Sequence, residues 1–491
     1  MQGARGSLSA VPQLYPELMN LKDDLTNPIF RRIGQVADSI GREVYVVGGY
    51  VRDIFLERPS HDIDFVTVGS GIELAEAVAR ELGPHVPVAV FANYGTAQMK
   101  HRGLELEFVG ARRESYSRES RNPIVEDGTL TDDQNRRDFT INAMAICLNE
   151  ARFGELVDPF DGLADLAKKI IRTPLDPDIT FSDDPLRMLR AVRFATQLGF
   201  EISPETFEAL SRNADRLQII TRERINDELG KMMRSAVPSV GFKLMDRAGL
   251  LKYAFPPILE LKGVETVEGI GHKDNFLHTL QVLDNVAAKS DNEWLRWAAL
   301  LHDIGKPVTK KYDDRLGWTF HNHNIVGEKM VPRLFRKLKL PMNEHMKYVA
   351  KLVGLHMRPQ SVGEEGVTDS GVRRLITDAG TDLDDLMTLA EADITSKNPA
   401  KVRRQLDGFE RLRHRMSDIA DADALRNWKN PVNGNEIMEY YHLTPGKEIA
   451  DIKDAVKEAI MDGTIPYDHD AAWQYVLRVA PSILHLPQEK I

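Results

Sequence analysis

Residues 44–68 read VYVVGGYVRDIFLERPSHDIDFVTV, and the fold turns on how this stretch is parsed. The apolar run Val44-Tyr45-Val46-Val47 has the composition of a buried strand. It ends in Gly48-Gly49, where backbone N–H groups can approach a phosphate with no Cβ in the way. Val51, Ile54 and Phe55 then recur at helical spacing. A second apolar run contains Asp62-Ile63-Asp64. Side chains on a strand alternate with period two, so Asp62 and Asp64 share one face while Ile63 and Phe65 point to the other, toward a core. Two carboxylates side by side repel unless a cation sits between them. Hard oxygen ligands in this arrangement suit Mg²⁺, which usually takes one or two carboxylates plus substrate phosphates. A bare Asp-x-Asp would pass for a surface hairpin. Strand, Gly-Gly, helix, then acid-x-acid on the next strand is a far more specific constellation.

Working outward, 491 residues should hold several domains, and the 42% hydrophobic content is ample for cores. No apolar run reaches the roughly 20 residues of a membrane span, so no membrane is expected. The first residues, MQGARGSLSAVPQLYPELMN, carry no apolar h-region, and no secretory signal is expected there. The lone Cys147 excludes an internal disulfide and reads as a small buried hydrophobe, consistent with the cytoplasm. A net charge of −10 argues against a general nucleic-acid coat protein, although the positive residues cluster.

Residues 15–40 carry helical periodicity in two pieces, Leu18, Leu21 and Leu25, then Ile29, Ile33, Val36 and Ile40 after Asn27-Pro28. A helix is expected over 72–82 and a strand over 88–91. Leu104 to Val109 alternates as a strand with Glu105 and Glu107 on one face, either of which could complete a set of metal-binding acids. From Arg112 to Arg137 the chain is polar and Arg-rich, with Arg112, Arg113, Arg118, Arg121, Arg136 and Arg137 as phosphate candidates, and its low hydrophobicity predicts a mobile loop. In FSDDPLRMLRAVRFATQLGF, residues 181–200, Pro185 suits a helix start, Asp184 or Asp183 a cap and Gly199 a stop. Arg187, Arg190 and Arg193 line one side of that helix. Beyond residue 270, His278, His302-Asp303, His321, His323, His356 and Asp393 recur among helices. Imidazole with carboxylate ligation suits a divalent transition metal such as Mn, Ni, Fe or Zn.

GGYVRD followed by DIDF resembles the signature of polymerase-β-type nucleotidyltransferases. In detail it is similar to the bacterial class II tRNA nucleotidyltransferase (CCA-adding) and poly(A) polymerase family. RRDFTINAMA, residues 136–145, is close to that family's next block. The resemblance implies an α+β fold: a polymerase-β-like head with a small mixed sheet, then an all-α neck, HD domain and tail. The divisions expected are 1–160, 161–270, 271–400 and 401–491. Two Mg²⁺ at Asp62 and Asp64 would activate an RNA 3′-hydroxyl against the α-phosphate of a nucleoside triphosphate and steady the leaving pyrophosphate. Glu107 is favoured over Glu105 as the third acid, because in the family this acid is followed closely by an Arg-rich loop. Nucleotide contacts carried over are Gly48, Gly49, Arg52, Arg137, Asp138, Asn142, Arg190 and Arg193.

The family's Glu-Asp-x-x-Arg motif stands here as Asp183-Asp184-Pro185-Leu186-Arg187, with Asp in place of the Glu. Asp184 only accepts hydrogen bonds and Arg187 only donates. Cytosine and adenine each offer an amino donor beside a ring-nitrogen acceptor, so such a pair selects C and A without a template. Arg224 and Glu228, in a stretch similar to the family's ERxxxE helix, are expected to buttress that pair. The His-Asp order resembles the HD phosphohydrolases, which would gather His278, His302, Asp303 and Asp393 on a metal, with His323 and His356 at positions used by two-metal members.

The function implied is transfer of CMP and AMP from CTP and ATP to tRNA 3′ ends, with a possible HD phosphohydrolase activity beside it. Within the same chemistry the alternatives are a poly(A) polymerase or an enzyme adding only CC or only A. A rival of another class is an HD phosphodiesterase or phosphatase with an inactive head.

Overall fold

The computed structural model describes residues 19–117, 120–264, 266–267, 270–271, 274–363, 367–396, 398–426, 430–461 and 464–484. Leu18, Arg118 and the side chain of Arg121 lie outside them. The chain forms two compact units, Met1–Glu364 with Thr377–Phe409, and Glu365–Ile376 with Glu410–Ile491.

The first unit opens with a seven-stranded mixed sheet. Its strands are β1 (Val44–Val47), β2 (Asp62–Thr67), β3 (Val88–Phe91), β4 (Thr96–His101), β5 (Leu104–Gly110), β8 (Ala145–Cys147) and β9 (Leu156–Val157), in the order β3-β4-β5-β2-β1-β8-β9. Strand β1 lies inside the sheet, antiparallel to β2 and β8, and all four of its residues are buried. β2 runs parallel to β5, and the other pairs are antiparallel. On one face Phe65 and Phe108 stack at 5.0 Å, with Phe30 6.2 Å from Phe65. Phe30 comes from the helix Pro28–Ser39, whose N-cap Asn27 accepts from the Ile29 N–H. The helix Gly71–Leu82 buries Leu74, Ala75 and Val78. On the other face Tyr45, Val47, Val66, Ala145 and Cys147 form a small apolar cluster.

Two expectations fail here. Leu21 and Leu25 are buried, but residues 21–27 form turns, not a helix; Asn20 instead bridges to Glu155 beside β9. A segment tied to a sheet edge gains more from that pairing than a short helical turn supplies. The polar stretch after Arg112 is ordered as an antiparallel hairpin, β6 (Arg112–Ser117) with β7 (Ser120–Asp127), followed by the helix Leu130–Asn135. Its ladder needs no apolar face, and opposite charges pair across it: Arg113 faces Glu126, with N···O of 2.9 Å.

From residue 162 onward the first unit is essentially helical. The helix Leu186–Leu198 packs on Arg222–Met233 and Ser239–Arg247 and ends at Gly199 in the left-handed region, as expected. Further on, Asn275–Ala287, Glu293–Leu301, His323–Leu338, Glu344–Leu355 and Leu383–Ala392 enclose a core with Trp297, Leu280 and Val353 fully buried. In the first of these Leu277 is 55% exposed, and Phe276, Leu280 and Leu283 form the apolar face. A long charged helix, Pro399–Arg426, follows.

In the second unit, the helices Gly434–Tyr441, Lys447–Met461 and His469–Ile483 close on Val432, Ile437, Ile452, Val456 and Val476. Asn433 and Glu436 form a capping box at the first of these helices.

Candidate active site and candidate metal centre

The β2–β5 register sets Asp62 beside Glu105 and Asp64 beside Glu107, so period-two alternation puts all four acids on one face. Strand β4 adds Gln98 opposite Glu107 and Lys100 opposite Glu105. Lys100 forms an ion pair with Glu105, which leaves Glu107 as the acid facing Asp64 without a cation of its own strand pair. Burial raises the Asp64 carboxyl above its ordinary value; Glu107, Asp62 and Asp133 push the same way and Arg137 opposes. Negative charge is therefore concentrated on the strand face that Asp62, Asp64 and Glu107 share, and hard carboxylates of this kind suit a divalent cation.

These acids line a cavity of about 960 Å³ together with Gly48, Gly49, Arg52, Arg137, Asp138, Asn142, Arg190 and Arg193. Gly48 has φ +74°, and a Cβ there would stand 3.1 Å from Arg137 Nη1 and 3.6 Å from Asp64 Oδ2. Only glycine fits that turn without strain. A hydrogen-bond chain orders the far wall. Arg52 Nη1 donates to Asn142 Oδ1 (2.9 Å), Asn142 Nδ2 to Asp138 Oδ1 (3.1 Å), and Arg190 Nε to Asp138 Oδ2 (2.7 Å). Burial disfavours charge on Asp138, but Arg190 and Asn142 outweigh it and hold the carboxyl low.

Asp184, Arg187 and Arg224 are not in this cavity. They line a second one, also about 960 Å³, with Tyr94, Arg112 and Arg136. Asp184 Oδ1 caps the Leu186 N–H at 3.1 Å, and Arg187 Nη2 donates to the Arg136 carbonyl at 2.6 Å. Arg224 reaches Asp184 at 3.6 Å, as expected, but Glu228 pairs with Arg193 at 3.0 Å and buttresses the first cavity instead.

Arg136 and Arg137, one in each cavity wall, both pair with Asp133, whose side chain is fully buried. Burial works against its charge, yet the two arginines hold the carboxyl below the ordinary range. Asp133 was missed in the sequence because it sits in the stretch taken for a loop. The signal available was its i+3 and i+4 spacing to the arginine pair, just after a Thr129/Asp132 capping box.

The histidines come together as their order suggests, and the centre they form is buried. Among the described residues, two trios have ligand atoms within 4.8 Å of one another: His278–His302–Asp303 and Asp303–His323–His356. Asp303 belongs to both. Asp393 Oδ1 lies 2.8 Å from His278 Nε2 and 3.5 Å from His302 Nε2. His321 is exposed and outside the cluster. His302, His323 and His356 each direct Nδ1 at the carbonyl three residues back, at 2.7, 2.9 and 2.7 Å. That contact makes Nδ1 the protonated nitrogen of the neutral ring and turns Nε2 toward Asp303, where it offers a lone pair once it carries no proton. His323 Nε2 and His356 Nε2 face each other at 3.4 Å, and His302 Nε2 is buried without a hydrogen bond. Inward lone pairs around a shared carboxylate fit divalent metal.

Gly305 makes the approach possible, since a Cβ there would stand 2.2 Å from the His323 carbonyl oxygen. Burial disfavours charge on His302, but Asp303 and Asp393 push its pKa up to about 10; burial and the His302 charge bring His356 down to about 4.

Comparison with known proteins agrees with this arrangement. Residues 44–172 match the poly A polymerase head domain, 199–261 the probable RNA and SrmB-binding site of polymerase A, and 275–397 the HD domain. The multifunctional CCA protein of Shewanella frigidimarina is 36% identical over 311 residues, 62% of this chain and 71% of that protein. The A-adding tRNA nucleotidyltransferase of Deinococcus radiodurans is 33% identical over 352 residues, 70% of this chain and 78% of that protein. A solved tRNA nucleotidyltransferase complexed with a primer tRNA and an incoming ATP analogue superposes with a TM-score of 0.55 at 27% identity, over 78% of this chain and 98% of that one. Among the described residues no helix is long and apolar enough to cross a membrane. Head, RNA-binding segment and HD domain thus match in chain order, and the chain belongs to the tRNA nucleotidyltransferase and poly(A) polymerase family.

Proposed function

We propose that this chain adds CMP and AMP from CTP and ATP to the 3′ end of tRNA, completing or repairing the CCA terminus without a template, in the cytoplasm. The observation that carries the reading is the single cavity in which Asp62, Asp64 and Glu107 face Gly48-Gly49 and the Arg52, Arg137, Arg190 and Arg193 side chains. The three acids would hold Mg²⁺. Its chemistry when bound is activation of the terminal 3′-hydroxyl and neutralisation of the charge that develops on the α-phosphate and leaving pyrophosphate. The chain's own groups do the rest. The Gly48-Gly49 backbone lies close to the phosphates, the arginines neutralise and orient them, and Asp138 with Asn142 takes the sugar. Asp184 and Arg187 read the base from the adjoining cavity, which requires Arg187 to leave the Arg136 carbonyl.

The buried HD centre would hold a divalent transition metal, Mn, Ni, Fe or Zn, on His278, His302, Asp303 and Asp393, with His323 and His356 completing a second position. A phosphohydrolase activity there belongs to the same proposal. So does the division into head (1–160), neck (161–270), HD domain (271–400) and tail (401–491).

The test is incubation with Mg²⁺, CTP and ATP, separately and together, on tRNA transcripts lacking CCA, ending in C and ending in CC. Ordered addition of C, C and one A, then a stop, is the expected result. Addition of A alone, to the transcript ending in CC alone, would establish the second reading, an A-adding enzyme, which the similarity to the Deinococcus relative favours. A long A tail would mean a poly(A) polymerase, and hydrolysis without incorporation would make the HD centre the principal enzyme.

A further inference from the structure

Phe194 is the one aromatic side chain of the helix Leu186–Leu198 that lines the acid-bearing cavity. Three guanidinium groups of that cavity converge on its ring. Arg193 Cζ lies 4.2 Å from the ring centroid, Arg52 Cζ 5.2 Å and Arg190 Cζ 5.4 Å. Its edge contact with Phe139 at 5.9 Å and 82° fixes the ring plane, and Phe139 directly follows Asp138, the carboxylate that Arg190 grips.

Three like charges around one ring repel one another. The repulsion is visible at Arg193, whose guanidinium is destabilised first by burial and then by Arg190 and Arg52, against the support of Glu228. Each arginine has an anionic partner: Asp53 for Arg52, Asp138 for Arg190 and Glu228 for Arg193. The Asn142–Asp138 chain links Arg52 to Arg190, but none of these contacts brings in Arg193. The ring does. Its negative π face attracts all three cations, and being 8% exposed it gives them a low-dielectric floor in place of water.

We propose that Phe194 is a positioning residue for nucleotide binding: its ring gathers Arg52, Arg190 and Arg193 into a preformed receptor for the triphosphate of the incoming nucleotide. The inference rests on the reading of this cavity as the nucleotide site. A leucine of similar bulk would fill the space but attract no cation, so the fan would have to be assembled at each binding event.

The experiment uses the full chain and two probes, inorganic tripolyphosphate for direct binding and CTP or ATP for steady-state kinetics. F194L is expected to weaken tripolyphosphate binding and raise KM for both nucleotides by about tenfold, with KM for tRNA unchanged and F194Y near the parent. Should F194L melt early, Phe194 is replaced by its mono-, di- and trifluorinated analogues. These keep the shape while withdrawing charge from the ring face, so affinity should fall stepwise with fluorination. Flat affinity across that series, with R190A still weakening tripolyphosphate binding, would overturn the positioning role and leave the nucleotide site standing. If R190A too leaves tripolyphosphate binding unchanged, the reading of the cavity itself fails.

Discussion

At Asp64 the chemistry and the stability of the head pull in opposite directions. Its carboxyl is raised by burial, with Glu107, Asp62 and Asp133 adding to the effect. A carboxyl raised in the folded state keeps its full stability contribution only at low pH. That contribution is lost as pH rises past the unfolded value near 4 and through the folded one. D64N removes the charge, so in EDTA at pH 7 it should melt above the parent while losing incorporation by about 10³-fold. Mg²⁺ should raise the melting temperature of the parent and leave D64N where it was. A D64N protein that melts lower in EDTA would contradict the electrostatic account. The shared face of Asp62 and Asp64 was readable in the sequence because strand alternation is local; the same alternation left Glu105 and Glu107 open, and only the resemblance favoured Glu107. The Arg52–Asn142–Asp138–Arg190 chain was not readable, since it joins residues 90 and 52 positions apart, and only a resemblance could name its members. The role of Phe194 was invisible for the same reason: it is defined by side chains that converge in space.

Among the elements, the helix Leu130–Asn135 has the largest influence for its size. Thr129 and Asp132 cap it, Gln134 donates to the Ala143 and Val157 carbonyls at 2.8 and 3.1 Å, and Asp133 holds both arginines. Low hydrophobicity misled the reading of this region, because a polar segment can be ordered by ion pairs and caps as well as by apolar burial. The Asp133 carboxyl is depressed in the folded protein, so its contribution is full above its unfolded value near 4 and declines as pH falls below it. D133N should therefore lower the urea midpoint at pH 7, by an amount equivalent to roughly 3 kcal/mol for a broken buried pair. The gap to the parent should close as the pH is taken below 4. A gap independent of pH would mean that packing, not charge, is what Asp133 contributes. The helix Leu186–Leu198 was legible from its Pro185 and Gly199 ends, but the division of its arginines between two cavities was not: Arg187 faces one, Arg190 and Arg193 the other.

Across the molecule, buried polar side chains outside the two centres tie the first unit together. Arg296 is 2% exposed and donates to the Met233 and Ser235 carbonyls at 2.7 and 2.9 Å and to Ser290 at 3.0 Å, joining the helices that precede and follow residue 270. The HD centre allows a measurement of its own. With His302 held protonated by Asp303 and Asp393, metal entering the centre must displace a proton. Mn²⁺ titrated into EDTA-stripped protein near pH 7, in buffers of different ionisation enthalpy, should release about one proton per ion bound, and affinity should rise with pH. No proton release would mean that the metal does not engage His302. D303N should abolish binding at both trios, because they share that carboxylate, while CMP and AMP incorporation persists. The parallel pairing of β2 with β5 has one more consequence, for how the chain comes to be active. A helix and the β3–β4 hairpin lie between Asp64 and Glu107, so their pairing is less local than that of a hairpin, although β1 with β8 joins residues farther apart in the chain. Closing such a loop costs more entropy than forming a local helix or hairpin, so it follows the elements that it encloses. The carboxylates that repel one another are thus brought together after the elements between them, and a head in which only local helices and hairpins have formed has no assembled acid face with which to act on nucleotide.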